Sequence, residues 1–268
     1  MKELNIEEIK ASQLKILKVV AFFCEKNDIK YSLYFGTLLG AVRHQGYIPW
    51  DDDIDIMIPR PDYNKFIRTF KSPNNEFKVK SSLNDANYPY TFAKVENVNS
   101  RLIEFIDLPY DIGINIDVFP IDGVPEEQKT YDRFFRNLSL RRYILLIKSI
   151  KISFTKRSFY KNIVLLFLKF ILKAVSYKSI IKSINVHITK YEFSESAYVM
   201  ASCFPGVKRH HKLKREIYEK YTVLDFESNK YKALEYYEEY LKMQYGNYME
   251  LPQMSDRMTH HSFKAYLK

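Results

Sequence analysis

Glycine and cysteine are scarce in this chain of 268 residues, and each shortage removes a class of explanation. With only seven glycines and ten prolines there is no low-complexity tract, no long linker and no compositional sign of disorder. The two cysteines, Cys24 and Cys203, lie far apart and have no CxxC or Cys/His ligand spacing. That argues against a disulfide framework and for a reducing compartment. No apolar run reaches the ~20 residues that a membrane-crossing helix needs. Glu3, Glu7 and Glu8 put acid where a secretion signal carries positive charge, and no apolar stretch follows them, so the expectation is a cytoplasmic protein. Acid, in turn, is missing from one long stretch. Between Arg133 and Tyr191 there are fourteen Lys or Arg and no Asp or Glu, against a net charge of +10 for the whole chain. A field this lopsided calls for an anionic partner, and both a membrane surface and a nucleic acid qualify.

Hydrophobic residues make up 46% of the sequence, enough for a sizeable core in one domain, or in one catalytic domain with a helical extension. Asn5 followed by Glu8 reads as a capping box opening a helix up to residue 27, with Ile9, Leu17, Val20 and Cys24 on its apolar face. Residues 30–35 alternate as a strand, Gly36-Thr37 makes a turn, and 38–43 reads as a short helix. Ile54, Ile56 and Ile58 mark a second strand, and Pro61 opens the next helix, where its missing N–H costs nothing. Several strands follow between 77 and 119, with period two clearest over 101–106 and 112–119. From 126 to about 191 the pattern is helical; two late helices are expected near 214–221 and 231–244, then a polar, irregular tail. The implied fold class is α+β. Residues 1–130 form the catalytic core, 131–200 a basic helical extension, and 201–268 a C-terminal part that completes the site.

Carboxylates carry the chemistry. In an extended segment alternate side chains share a face, so with the three isoleucines in the core Asp53 and Asp55 project together on the other side. Like charges so close are relieved by a cation between them, and hard oxygen ligands suit Mg²⁺ or Mn²⁺. The strand around Asn115-Ile116-Asp117-Val118 repeats the pattern, which makes Asp117 a third metal ligand or the base that takes a proton from an attacking hydroxyl. Asp51-Asp52 reads equally well as a solvated turn. An EF-hand is excluded, because residues 51–62 lack its central glycine and terminal glutamate. Sixteen residues before Asp53, Gly36-Thr37 offers a backbone that a phosphate can approach, with N–H groups and a hydroxyl to bind it.

A Gly-Ser/Thr turn ahead of an Asp-x-Asp strand and a third acid resembles the nucleotidyltransferase fold, a mixed β-sheet core flanked by helices. More narrowly, Tyr34-Phe35-Gly36-Thr37-Leu38-Leu39-Gly40-Ala41-Val42-Arg43-His44, continuing through Ile48-Pro49-Trp50-Asp51-Asp52-Asp53-Ile54-Asp55, resembles the LicD family of bacterial phosphocholine transferases, to which the fukutin-type proteins are related. The run from Asn115 to Gly123 is similar to that family's third-carboxylate strand. Phe226-Glu227, Tyr245-Gly246-Asn247-Tyr248-Met249, Leu251-Pro252, Arg257 and His260-His261 are similar to its C-terminal signature. The resemblance implies transfer of phosphocholine from CDP-choline to a hydroxyl of a glycan or lipid-linked glycan precursor, with release of CMP. It also implies Asp53 and Asp55 on Mg²⁺ (or Mn²⁺), Asp117 as shared ligand or base, and Gly36 and Thr37 on donor phosphate. Ribitol or glycerol phosphate from its CDP donor is an alternative cargo.

Other side chains keep two readings each. Arg43 either neutralises phosphate or is a solvated helix arginine. Trp50 and Tyr248 offer aromatic faces to a quaternary ammonium, or simply pack. Glu227 supplies an acid for that cation, or a surface charge. His260 and His261 suit phosphate or hydroxyl contacts better than zinc, with Arg257 in the same signature; His210 and His211 read as surface. Residues 163–175 are apolar except for Lys169 and Lys173 and extend a stripe from Lys161. This is either a core helix or an element lying on an anionic membrane surface, which would attach the protein to the inner leaflet. A nucleotidyltransferase acting on nucleic acid or a small molecule is the rival function, but no RNP-like, KH-like or zinc-finger module is present, so no nucleic-acid partner is expected.

Overall fold

A computed structural model of the chain describes residues 2–104, 110–150, 158–257 and 263–268. Its elements run in the order β1 (Lys2–Glu3), α1 (Ile6–Lys26), β2 (Ser32–Leu33), α2 (Phe35–His44), β3 (Asp55–Pro59), α3 (Arg60–Thr69), β4 (Phe77–Lys80), β5 (Ala93–Asn97), β6 (Ser100–Glu104) and β7 (Asn115–Val124). There follow α4 (Gln128–Ser149), α5 (Phe159–Ile171), α6 (Tyr177–Ile188), β8 (Tyr198–Met200), β9 (Leu213–Lys214), β10 (Tyr221–Phe226), β11 (Asn229–Leu234), α7 (Tyr237–Tyr245) and β12 (Phe263–Leu267). The class is α+β.

The central sheet is mixed, in the order β2-β3-β7-β5-β4, with β8 and β9 continuing from the far half of β7. Only the β3–β7 pair within it is parallel. That one pairing matters most for the site, because it sets Asp55 directly beside Asp117. Ile54, Ile56, Ile58, Ile116 and Val118 are all buried in the main core, and α1 and α3 pack on the sheet. The helix α1 begins with the expected box: Asn5 Oδ1 accepts from the Glu8 amide at 2.9 Å, and Glu8 Oε2 accepts from the Asn5 amide at 3.0 Å. At the other end of β7, Arg60 at the start of α3 makes a two-pronged ion pair with buried Asp122, at 2.5 and 2.8 Å, which fixes α3 to the sheet.

Local pattern misleads in three places. Residues 214–221 are not a helix: Arg215–Tyr218 forms one short 3₁₀ turn and the chain is extended from Tyr221. Residues 231–244 divide between strand β11 and helix α7. The reason is a two-residue hairpin turn at Glu227-Ser228, whose φ values of 48° and 60° match the twist of β10 and β11 and pair them. The tail is not irregular either, since β12 joins β6 and β1 in a second, antiparallel sheet. His211, read as surface, is buried because its Nδ1 accepts from the Lys208 amide and closes a 3₁₀ turn.

The basic stretch forms α4, α5 and α6. A plain core helix does not describe α5: Asn162 is its one buried residue, while Tyr160 and Phe170 are 74% and 75% exposed, and Phe159, Ile163, Phe167 and Ile171 are exposed with them. Leu140, Tyr143 and Leu146 of α4 are exposed as well. No described helix is long and apolar enough to cross a membrane.

Candidate active site

A cavity of about 1330 Å³ opens over the edge of β3, β5 and β7 where the acids converge. Its lining includes Asp51, Asp53, Asp55 and Asp117, together with Gly36, Arg43, Trp50 and Tyr248. Thr37, Glu227 and Arg257 are not among the lining residues, and His260 and His261 lie outside the described residues.

Strand alternation does not place all the acids. The extended segment starts only at Asp55, so Asp53 lies in the irregular run before it. The three adjacent carboxylates Asp51, Asp52 and Asp53 each offer an oxygen within 4.8 Å of the others. This run is held from behind by α1: Gln13, buried, donates from Nε2 to the carbonyls of Asp52 (3.0 Å) and Asn115 (3.4 Å). Asp51 closes a turn, its amide donating to the Ile48 carbonyl at 2.8 Å, and is half-buried; it lines the cavity and its carboxylate lies against Gly36. A Cβ built on Gly36 would meet Asp51 Oδ2 at 2.5 Å, so a larger residue would push the carboxylate out of its place. The preceding Phe35 has φ of 39°, an uncommon and strained value for a bulky residue, where the chain turns from β2 into α2.

Asp55 is buried, and its carboxyl is raised well above the usual range, first by burial and then by Asp53, Asp117 and Asp51. Its amide donates to Thr37 Oγ1 at 2.8 Å. The Thr37 hydroxyl thus ties α2 to β3 rather than lining the cavity. Asp117 is partnered by a residue that sequence reasoning missed. Lys94, its register partner on β5, donates to Asp117 Oδ1 at 2.6 Å and to Asn115 Oδ1 at 3.1 Å, from a buried position. A lysine in a Lys-rich sequence gives no local signal of this; only the pairing of β5 with β7 does. Burial first, then Asp55, Asp51 and Asp53, push the Tyr245 hydroxyl up as well, which sets it in the field of the same acids.

The remaining candidates have structural duties. Arg43 donates from Nη1 to the Tyr248 and Glu250 carbonyls, at 2.7 and 3.1 Å, fastening the C-terminal segment over the cavity. Trp50 has the Arg257 guanidinium over its ring, 5.4 Å from the centroid, and His44 at its edge. Glu227 is turned away from the cavity: its Oε1 accepts from the Tyr47 amide at 2.9 Å and its own amide donates to the Gln45 carbonyl. That clasp holds the loop after α2 to the β10–β11 hairpin.

The donor set fits a hard divalent cation. Every candidate ligand is a carboxylate, and Asp55 sits buried among like charges that such an ion would relieve. Lys94 already meets part of that need at Asp117.

The family model described as LicD/FKTN/FKRP, nucleotidyltransferase domain, matches residues 28–140, the segment that carries all of these acids. The lipopolysaccharide cholinephosphotransferase LicD of Haemophilus influenzae is 29% identical over an alignment of 274 residues that covers all of both chains. Uncharacterized proteins of Rickettsia typhi and Rickettsia prowazekii are 51% and 49% identical over 63 residues, 23% of this chain and 20% and 24% of theirs. The domain match falls on the acid-bearing sheet, and the likeness to the LicD cholinephosphotransferase runs from end to end of both chains.

Proposed function

We propose that the protein is a metal-dependent phosphotransferase that moves phosphocholine from CDP-choline to a hydroxyl of a glycan or lipid-linked glycan, on a nucleotidyltransferase-type core. The observation that carries the reading is the row of Asp55 and Asp117 in register across a parallel strand pair, with Asp51 and Asp53 beside them and a large cavity in front. The full-length likeness to a cholinephosphotransferase supports the cargo.

Asp53 and Asp55 would hold Mg²⁺ or Mn²⁺, with Asp51 and Asp117 within reach. When bound, such an ion neutralises charge on the donor phosphates. The chain's own residues do the rest. Phosphoryl transfer to an alcohol depends mainly on positioning and on charge neutralisation around phosphorus. Gly36 gives the Asp51 carboxylate its place beside the donor at the start of α2. Asp117, ion-paired with Lys94, presents a carboxylate oxygen that accepts the hydroxyl proton of the acceptor as the new P–O bond forms and CMP leaves. Tyr245 and the segment fastened by Arg43 form one wall of the cavity.

The acceptor would be met at a membrane. The exposed aromatic and aliphatic side chains of α5 lie within a stretch of fourteen basic and no acidic residues, the chemistry of an element seated in an anionic lipid surface. Flotation with anionic liposomes at low salt tests this. The protein should rise with the vesicles and Phe170→Glu should remain at the bottom; wild-type protein at the bottom refutes attachment.

The cargo is tested with CDP-choline, CDP-ribitol, CDP-glycerol and CDP-ethanolamine, each with Mg²⁺ or Mn²⁺ and a lipopolysaccharide acceptor. CMP release highest with CDP-choline is the expected result. No release from any CDP-alcohol overturns the reading, and preference for another donor overturns the cargo.

A further inference from the structure

Five aromatic rings line the same cavity and touch in sequence, and no role has been given to them above. Tyr90 and Phe92 have centroids 5.7 Å apart, Phe92 and Phe119 4.5 Å, Phe119 and Phe35 5.1 Å, and Phe35 and Phe204 4.5 Å. We propose that this wall receives the quaternary ammonium of the transferred group, while the acids beside it serve the phosphate end. The proposal rests on the phosphocholine reading and deepens it.

Strand register is the main argument. On one face of the central sheet, Lys94, Asp117 and Asp55 stand side by side on β5, β7 and β3. The next row on that face is Phe92, just ahead of β5, then Phe119 and Met57. A charged row thus adjoins an aromatic one, two residues or about 6.6 Å along the strands. Phosphorus and nitrogen in phosphocholine are four bonds apart, a similar span. A headgroup with its phosphorus over the charged row therefore delivers its ammonium to the rings.

Electrostatics point the same way. Ring faces attract cations, and this wall already carries one: Lys94 Nζ lies 5.1 Å from the Tyr90 centroid and 5.5 Å from that of Phe92. Lys94 is itself paired with Asp117, and Asp51 lines the same cavity as the rings. A cytosine ring could also stack on the wall, but being uncharged it would gain nothing from the acids.

The test is calorimetric binding of CDP-choline and of CDP to the wild-type protein, to Tyr90→Leu and to Phe204→Leu, with Mg²⁺. Both rings are only partly buried, and equal melting temperatures will show that the variants are folded. Each variant should bind CDP-choline about 5- to 10-fold more weakly and CDP within about two-fold of wild type. Equal weakening for both nucleotides assigns the wall to the base and overturns the proposal, as does no weakening for either. A wild-type protein that binds CDP-choline no more tightly than CDP also overturns it, with the transferase reading intact. Wild-type protein that binds neither nucleotide overturns the transferase reading, and the wall falls with it.

Discussion

Replacing Lys94 with methionine keeps the aliphatic stem and deletes the ammonium held 2.6 Å from Asp117. The two side chains are only 9% and 16% exposed, so the pair belongs with buried ion pairs rather than surface ones. Removing one partner of a buried pair costs about 3–5 kcal/mol, because the remaining charge stays out of water. For a chain of this length each kcal/mol lowers the melting temperature by about 2–4 °C, so Lys94→Met should melt roughly 6–20 °C below wild type. Removing the stranded charge as well should recover most of this, so Lys94→Met/Asp117→Asn should melt well above the single variant. Lys2→Met is the control. Its partner Glu8 and Lys2 itself are 35% and 67% exposed, and the loss there should stay within about 1 kcal/mol. Thermal unfolding by circular dichroism, in EDTA so that no cation substitutes for the ammonium, reads all three. A single variant within about 2 °C of wild type, or a double variant no better than the single, would refute the claim that Lys94 is what makes Asp117 tolerable.

Two further outcomes follow from the acids and their glycine. Gly36→Ala drives a methyl into the Asp51 carboxylate, and a displacement of about 1 Å at a phosphoryl-transfer site can cost about 100-fold in rate. CMP release should fall by that order while the melting temperature changes little; full activity would show that Asp51 is not positioned for the chemistry. Asp55 titrates abnormally high because of burial and then its acidic neighbours, so the folded protein keeps a proton that the unfolded chain gives up near pH 4. Its contribution is greatest at low pH and is lost as the pH rises toward the folded value. In EDTA, Asp55→Asn should therefore melt above wild type at about pH 7.5 and the gap should close by about pH 4. A gap that widens on acidification would contradict the sign.

Much of the acidic face was legible because it is written in period two. The isoleucines at 54, 56 and 58 fix which way Asp55 points, and the alternation around Asp117 does the same on its own strand. The N-terminal helix was legible for a similarly local reason, a reciprocal cap between Asn5 and Glu8. What local pattern cannot carry is register between distant strands. Lys94 and Phe92 acquire their places only when β5 pairs with β7, and nothing in the sequence around them distinguishes them from other lysines and phenylalanines. The C-terminal third failed for another reason. Its Tyr- and Lys-rich runs suit a helix face as well as a strand, and the hairpin turn is made by Glu227-Ser228, not by the Asn-Gly or Asp-Gly pair that would announce it. Glu227 also shows how an acid placed by motif can serve the scaffold. Its carboxylate is engaged by the Tyr47 amide, where any residue but glycine at 46 would collide with it.

Turnover of purified Asp55→Asn tests the central claim most directly, since that side chain sits where β3 and β7 bring the acids together. With CDP-choline, Mg²⁺ and a lipopolysaccharide acceptor, and with folding verified by melting temperature, the variant should release CMP about 100- to 1000-fold more slowly than wild type, the order lost when a principal charge-stabilising group is removed. Release at an unchanged rate would contradict the account.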